Sequence, residues 1–173
     1  MTEIKQNPMK EIRLEKVVIN IGVGEGGEKL EKASTVLKLL TNRTPTYTKA
    51  KVTNRDFGIR KGMNIGCKVT LRHKEAEEFL KKAFWVKNNK LASYSIDPEG
   101  NFSMGVSDYT LIPGMKYNPE IGIFGFDVCA SLMRRGWRIK YRKRAKHPIG
   151  KKHRITVEEA KEFIKKQYNV EIV

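Results

Sequence analysis

The sequence predicts a single α+β domain over residues 1–173, in which an antiparallel sheet of about five strands has helices packed on one face and leaves the other face open. Apolar residues alternate with other residues in five segments, which is typical of strands with one buried face. Apolar stripes at helical spacing mark three further segments. A chain of 173 residues, 39% of them hydrophobic, is large enough for one core.

The first predicted strand separates an apolar face from a polar one. Its apolar members lie two residues apart and are Val17, Ile19, Ile21 and Val23. Lys16 and Asn20 therefore point to the opposite side of the sheet. A helix is predicted next, because apolar residues recur there at helical spacing: Leu30, Ala33, Leu37 and Leu40.

The second predicted strand repeats this arrangement. Its apolar side comprises Ile65, Cys67, Val69 and Leu71. Lys68, Thr70 and Arg72 alternate with these residues and so lie on the polar side. A second helix follows, with the apolar stripe Ala76, Phe79, Leu80, Ala83 and Phe84. Both helices are expected to cover the apolar side of the sheet.

The last three strands are predicted from shorter alternations. Their apolar members are Phe102, Met104 and Val106, then Phe126, Val128, Ala130 and Leu132, then Trp137, Ile139 and Tyr141. Residues 108–125 form a long irregular stretch, whose length suggests a functional or partner-ordered segment. The C-terminal helix, at about 156–168, begins with a capping box between Thr156 and Glu159. Its stripe is Ala160, Phe163, Ile164 and Tyr168.

The net charge indicates a polyanionic partner. The chain has 35 Lys and Arg against 19 Asp and Glu, a net charge of +16. Such an excess repels itself and is relieved by nucleic acid or by an anionic membrane surface. Residues 134–154 contain no acid and form a predicted phosphate-binding arm. A merely solubilising surface would mix both signs. The basic residues of the arm are Arg134, Arg135, Arg138, Lys140, Arg142, Lys143, Arg144, Lys146, Lys151, Lys152 and Arg154.

Two further features carry chemistry suited to RNA. The polar sheet face combines cations with groups that hydrogen-bond sugars or base edges, namely Lys16, Asn20, Lys68, Thr70 and Arg72. Exposed strands also carry Lys and Thr simply because both tolerate water.

The loop at 54–64 has Arg55, Arg60 and Lys61 around Phe57, and is either a basic finger or a solvated turn. Trp137 and Tyr141 could stack on bases, although burial is the favoured interpretation.

Other chemistries are disfavoured. Gly22, Gly24 and Gly27 form a GxGxxG after a strand, but residues 42–55 contain no acid for a ribose, so a tight turn is the better interpretation. The three histidines are scattered, and no GxSxG or HExxH occurs, so we expect no metal, no cofactor and no enzyme activity. Cys67 is predicted in the core and Cys129 on the other face, without a disulfide. The absence of a long apolar stretch, together with the polar residues 1–10, predicts a cytosolic protein without a membrane partner.

Several segments carry a specific resemblance. They are NPMKEIRLEKVVINIGVGEGGEKL, YTKAK, FGIRKG, IGCKVTLR, GNFSMGV, PGMKYNPEIGIFGFDV and IGKKHRITVEEA. In these motifs the chain resembles the ribosomal protein L5 family along nearly its whole length. NPMKEI and the basic arm ending in KKHRIT are similar to the archaeal and eukaryotic branch.

The resemblance implies a sheet that grips 5S rRNA in the central protuberance of the large ribosomal subunit, in the cytoplasm. Large-subunit rRNA and neighbouring ribosomal proteins are the further partners implied. By position, the family's RNA contacts fall on Lys16, Asn20, Thr70 and Arg72. The loop ahead of the second strand would reach transfer RNA in the peptidyl site through Arg55, Arg60, Lys61, Gly62 and Met63. Many relatives have TGQ where this chain has Thr41, Asn42 and Arg43. A general RNA chaperone using the same sheet is the alternative, although the aromatic signatures of RNA-recognition modules are missing.

Overall fold

The computed structural model describes residues 7–173, so most of the polar residues 1–10 used in the sequence analysis lie outside the described part. The strands are β1 Ile12–Gly22, β2 Thr46–Lys49, β3 Asn64–Leu71, β4 Lys90–Leu91, β5 Phe102–Val106, β6 Phe126–Arg134 and β7 Glu171–Ile172. The helices are α1 Glu28–Thr41, α2 His73–Val86 and α3 Val157–Tyr168. No described helix is long and apolar enough to cross a membrane.

Five strands form one antiparallel sheet in the order β2-β3-β1-β6-β5. β1 lies at its centre, and Val17, Ile19 and Ile21 are almost fully buried on one face. Pairing with β3 and β6 satisfies the backbone hydrogen bonds of β1 on both sides. The alternation of side chains buries every second residue of the strand. β4 and β7 pair in parallel as a separate two-stranded sheet near the end of α2. The predicted α+β class and the antiparallel five-stranded sheet are confirmed.

The three helices form one layer over the apolar face of the sheet. Their buried positions reproduce the predicted stripes, except that Phe163 is only partly buried. Phe84 of α2 joins the layers, because its ring lies 5.8 Å from Phe102 of β5 and 5.4 Å from Tyr168 of α3. The capping box between Thr156 and Glu159 is present, with both reciprocal bonds made. The opposite face of the sheet has no helix of the described chain over it.

One predicted strand is wrong. Residues 137–141 do not extend the sheet, because Gly136 turns the chain at a φ of 87° and a 3₁₀ helix follows at Trp137–Lys140. The amide of Tyr141 donates to the carbonyl of Arg138 at 3.0 Å, which is turn bonding rather than ladder bonding. The fifth strand is instead β2, a four-residue edge strand that the sequence did not predict.

Gly66 marks a close approach between three strands and supports a stability prediction. A Cβ at Gly66 would lie 2.8 Å from the carbonyl oxygen of Ile21 and 2.8 Å from Oγ1 of Thr48. Gly22, which faces Gly66 across the β1–β3 ladder, has open space at the same position. We expect Gly66→Ala to lower the free energy of unfolding by about 2 kcal/mol through overpacking.

Urea denaturation measures this difference, with Gly22→Ala as the matched control, since surface substitutions usually change stability by less than about 0.5 kcal/mol. Equal losses of unfolding free energy in the two variants would show that the strands around Gly66 move apart to admit a Cβ without a measurable loss of stability.

Candidate nucleic-acid interface

The positive charge of the chain lies outside its helices. α1, α2 and α3 together contain nine Lys or Arg and eight Asp or Glu, which leaves a net charge of +1 on the helical layer. The remaining +15 of the chain's +16 belongs to strands, loops and termini. A polyanion is therefore attracted to the strands and loops more than to the helical layer.

The register of β1 and β3 gathers the predicted polar residues on the open sheet face. Asn20 faces Lys68 directly, and Thr70 lies two residues along β3 on the same side. Arg72 follows β3 in an extended conformation, with φ −138° and ψ 162°, and so keeps the alternation. Lys68, Thr70 and Arg72 are exposed, whereas Lys16 and Asn20 are half-buried. We name this surface, comprising Lys16, Asn20, Lys68, Thr70 and Arg72, the sheet site.

A β-bulge turns Lys16 toward the sheet site. The β1–β6 register pairs Leu14 with Leu132, but pairs Lys16 with Ser131, and so shifts between Leu14 and Lys16. Without the extra residue, Leu14 and Lys16 would share a face, because they lie two positions apart. The bulge keeps Leu14 against the core and directs the ammonium group of Lys16 outward.

The open face contains further polar residues that the sequence analysis did not select. Asp127 faces Asn20 and Ser131 faces Lys16 in the β1–β6 register, and Thr46 faces Lys68 across β2 and β3. The alternation of the predicted strand at 126–132 already implied that Asp127 and Ser131 point to the open face. Nothing in the sequence indicated Thr46, because β2 itself was not predicted.

A groove of about 980 Å³ borders the sheet site at the β2 edge. Lys68, Thr70 and Arg72 line one part of it, and Arg43 lines another. The Arg43 guanidinium donates two hydrogen bonds to Glu75, at 2.6 Å and 3.2 Å. This bonding lowers the pKa of the Glu75 carboxyl. Arg43 is thus engaged in an ion pair beside the groove.

Ten of the eleven basic residues of the arm are exposed, and the arm folds back on itself. Its second turn, a 3₁₀ helix at Lys151–His153, returns to its beginning, where Nε2 of His153 donates to the carbonyl of Arg135 at 2.9 Å. The Arg135 guanidinium also lies 3.4 Å from the Glu11 carboxylate. The exposed cations are Arg135, Arg138, Lys140, Arg142, Lys143, Arg144, Lys146, Lys151, Lys152 and Arg154.

Arg134 does not belong to this exposed set. It ends β6 with 4% of its surface exposed, and its Nη2 donates to Oε1 of Glu159 at 2.5 Å. Its side chain therefore anchors the start of the arm to α3 and is not presented to phosphates. Burial opposes ionisation of Glu159, but the Thr156 bonds and the Arg134 charge outweigh it and lower the pKa of the carboxyl.

The two aromatic residues of the arm have different environments. Trp137 is buried as expected, with 7% of its surface exposed. The expectation of burial is wrong for Tyr141, which is 55% exposed. Its ring centroid lies 5.9 Å from Nζ of Lys16 and 6.0 Å from Nζ of Lys140. Tyr141 thus borders the sheet site. Its ring lies near one cation of the sheet site, Lys16, and one cation of the arm, Lys140.

The loop between β2 and β3 is an exposed, internally bonded finger. At its base, the Ala50 amide donates to the Met63 carbonyl at 2.8 Å. Near its tip, Asn54 and Ile59 exchange backbone bonds of 2.8 Å and 2.9 Å. Phe57 at the tip is 75% exposed. The loop residues singled out from the sequence are all exposed: Arg55, Arg60, Lys61, Gly62 and Met63.

The described residues contain no group of three His, Cys, Asp or Glu placed to hold a metal ion. Cys67 is buried on the apolar side and Cys129 is exposed on the open face, as predicted. Burial raises the pKa of the Cys67 thiol to about 11. Partial desolvation by its neighbours and the Asp127 charge raise the pKa of the Cys129 thiol as well. Both thiols therefore stay protonated at neutral pH and are poor nucleophiles.

Comparisons with known proteins identify the family of the chain. A family model described as "Ribosomal protein L5" matches residues 7–60, and the model for the C-terminal part of the same ribosomal protein family matches residues 64–163. The chain is 53% identical to the large ribosomal subunit protein uL5 of Sulfurisphaera tokodaii, over 96% of this chain and 95% of the relative. It is 51% identical to the protein of the same name from Picrophilus torridus, over 100% and 99%.

Proposed function

The chain belongs to the ribosomal protein L5 family, and from this membership and its open cationic sheet we propose that it binds 5S rRNA in the central protuberance of the large ribosomal subunit. It acts as a structural constituent of the cytoplasmic ribosome and performs no chemistry. The sheet site recognises the shape of a folded RNA element, and the exposed arm neutralises phosphates of large-subunit rRNA. Neighbouring ribosomal proteins pack around the remaining surface.

The observation that carries this proposal is the one-sided distribution of charge. A helical layer of net charge +1 covers one face of the sheet, whereas the arm at 134–154 has eleven basic residues and no acid, and the sheet site adds Lys16, Lys68 and Arg72. Asn20 and Thr70 supply hydrogen-bonding groups between the cations of the sheet site. Folded RNA offers both phosphates and sugar hydroxyls to such a surface.

A filter-binding titration tests the proposal. Purified protein is titrated with 5S rRNA, and transfer RNA and an unrelated structured RNA serve as competitors at two salt concentrations. We expect 5S rRNA to bind more tightly than either competitor at both salts. If all three RNAs bind alike and weaken together as salt rises, the sheet is a general RNA-binding surface instead.

We further propose that the finger at 54–64 contacts peptidyl-site transfer RNA. Its support is the exposed tip, where Phe57 presents 75% of its surface to solvent and Arg55, Arg60 and Lys61 are exposed as well. We expect Arg60→Gln combined with Lys61→Gln to weaken transfer-RNA binding to reconstituted large subunits by about tenfold per lost phosphate contact.

The affinity of the same double variant for 5S rRNA is the internal control for this test, and it should not change. Normal transfer-RNA binding by subunits carrying the variant would exclude the contact.

A further inference from the structure

The arm lines an open pocket that the proposed function does not use. It has a volume of about 500 Å³ and lies between the first 3₁₀ turn of the arm and residues 146–149. Its apolar walls are Trp137, Tyr141, Pro148 and Ile149. This volume is in the range of pockets that hold small organic ligands. We call the cavity the aromatic socket.

Cations surround the aromatic socket. Nζ of Lys140 lies 5.8 Å from the ring centroid of Trp137, and Lys146 and Arg154 also line the cavity. One carboxylate is present, since Glu99 lines the cavity and lies 3.4 Å from Nη1 of Arg154. Apolar aromatic walls with a cationic rim match a ligand that has a flat ring and adjacent negative charge.

The socket is continuous with the sheet site. Tyr141 lines the socket, and its ring centroid is 5.9 Å from Nζ of Lys16, which belongs to the sheet site. An RNA strand that lies along the open face therefore meets the exposed Tyr141 ring where the sheet ends. Single-stranded loops and bulges expose unstacked bases, and aromatic side chains bind these bases by stacking.

We propose that the aromatic socket receives one unpaired nucleotide of the bound RNA. Its base stacks on the exposed Tyr141 ring, next to the largely buried Trp137 that lines the pocket, while Lys140 and Lys146 bind the flanking phosphates. The Glu99 carboxylate accepts a hydrogen bond from a base amino group, which favours cytosine over uracil. This inference deepens the proposed function and rests on it.

Trp137 serves as the reporter in the test. The chain contains two Trp residues, and the other, Trp85, is exposed on α2. In a Trp85→Phe background, fluorescence therefore comes from Trp137 alone. We expect 5S rRNA and a single-stranded cytidine hexamer to quench it, and a uridine hexamer or a short RNA duplex to quench it less. Tyr141→Leu should weaken hexamer and 5S rRNA binding by about tenfold, whereas Tyr141→Phe, which keeps the ring, should bind normally.

The outcomes separate the socket from the proposed function. If 5S rRNA binds specifically but neither quenches Trp137 nor responds to Tyr141→Leu, the socket proposal fails and the proposed function stands. If 5S rRNA does not bind, the proposed function fails, and the cytidine hexamer alone decides the socket. Quenching by a glutamate-rich peptide but not by the hexamer would overturn the proposal in favour of a protein partner.

Discussion

Glu159→Ala is expected to lower the free energy of unfolding by about 3 kcal/mol or more, because it leaves a buried guanidinium without its carboxylate. Arg134 is 4% exposed, and its Nε is already buried without an acceptor among the described residues. The substitution also removes the bond from the Thr156 amide to the Glu159 carboxylate, which is one half of the capping box. Urea denaturation followed by circular dichroism measures the change.

Glu158→Ala is the matched control, since Glu158 lies in the same helical turn and is exposed. It should change stability by less than about 0.5 kcal/mol. If Glu159→Ala loses no more stability than Glu158→Ala, then Arg134 must find another partner or water once the carboxylate is gone. Glu159→Gln keeps the capping geometry, and therefore isolates the contribution of the charge.

The pH dependence of this pair follows from the pKa of Glu159. The folded protein lowers that pKa from its ordinary value of 4.5. A lowered carboxyl pKa contributes stability above the unfolded value, and this contribution is lost as pH falls through the folded value. The stability advantage of the wild type over Glu159→Gln should therefore be constant at neutral pH and shrink below about pH 4.5. A difference that does not vary with pH would contradict the assigned charge pair.

Neutralising Lys16 and Arg72 together is expected to weaken 5S rRNA binding about a hundredfold at about 0.1 M salt. Each cation that displaces a counterion from a phosphate contributes about tenfold at that salt, and its loss lowers the slope of log affinity against log salt by about one. The variant is Lys16→Gln with Arg72→Gln. Both side chains lie on the open face outside the core, so the domain should remain folded.

A control variant removes the same charge from the helical layer. Lys81→Gln with Lys165→Gln changes two exposed lysines, one on α2 and one on α3. If the sheet site binds RNA, this control should lose no more than about threefold in affinity, because charges beyond the Debye length are screened. Equal losses in both double variants would show that only net charge matters and would exclude the sheet site.

The sequence predicted the two faces of the sheet well, because side-chain direction in a strand follows directly from the period of the backbone. Cys67 lies inside and Lys68 outside, as their positions required. β2 was missed because it is a short edge strand with no apolar alternation, held mainly by its pairing with β3. The role of Arg134 was misassigned because its partner Glu159 follows 25 residues later, and no local pattern reveals such a contact.

The central position of β1 determines when this protein can fold during its synthesis. Val18 pairs with Thr70 on one side and with Cys129 on the other. The innermost strand is thus made early, but it lacks one neighbour until the ribosome has added more than a hundred further residues. Contacts this distant along the chain slow folding, and strands with unpaired edges aggregate in the meantime. We therefore expect the nascent chain to be prone to aggregation until β6 has emerged.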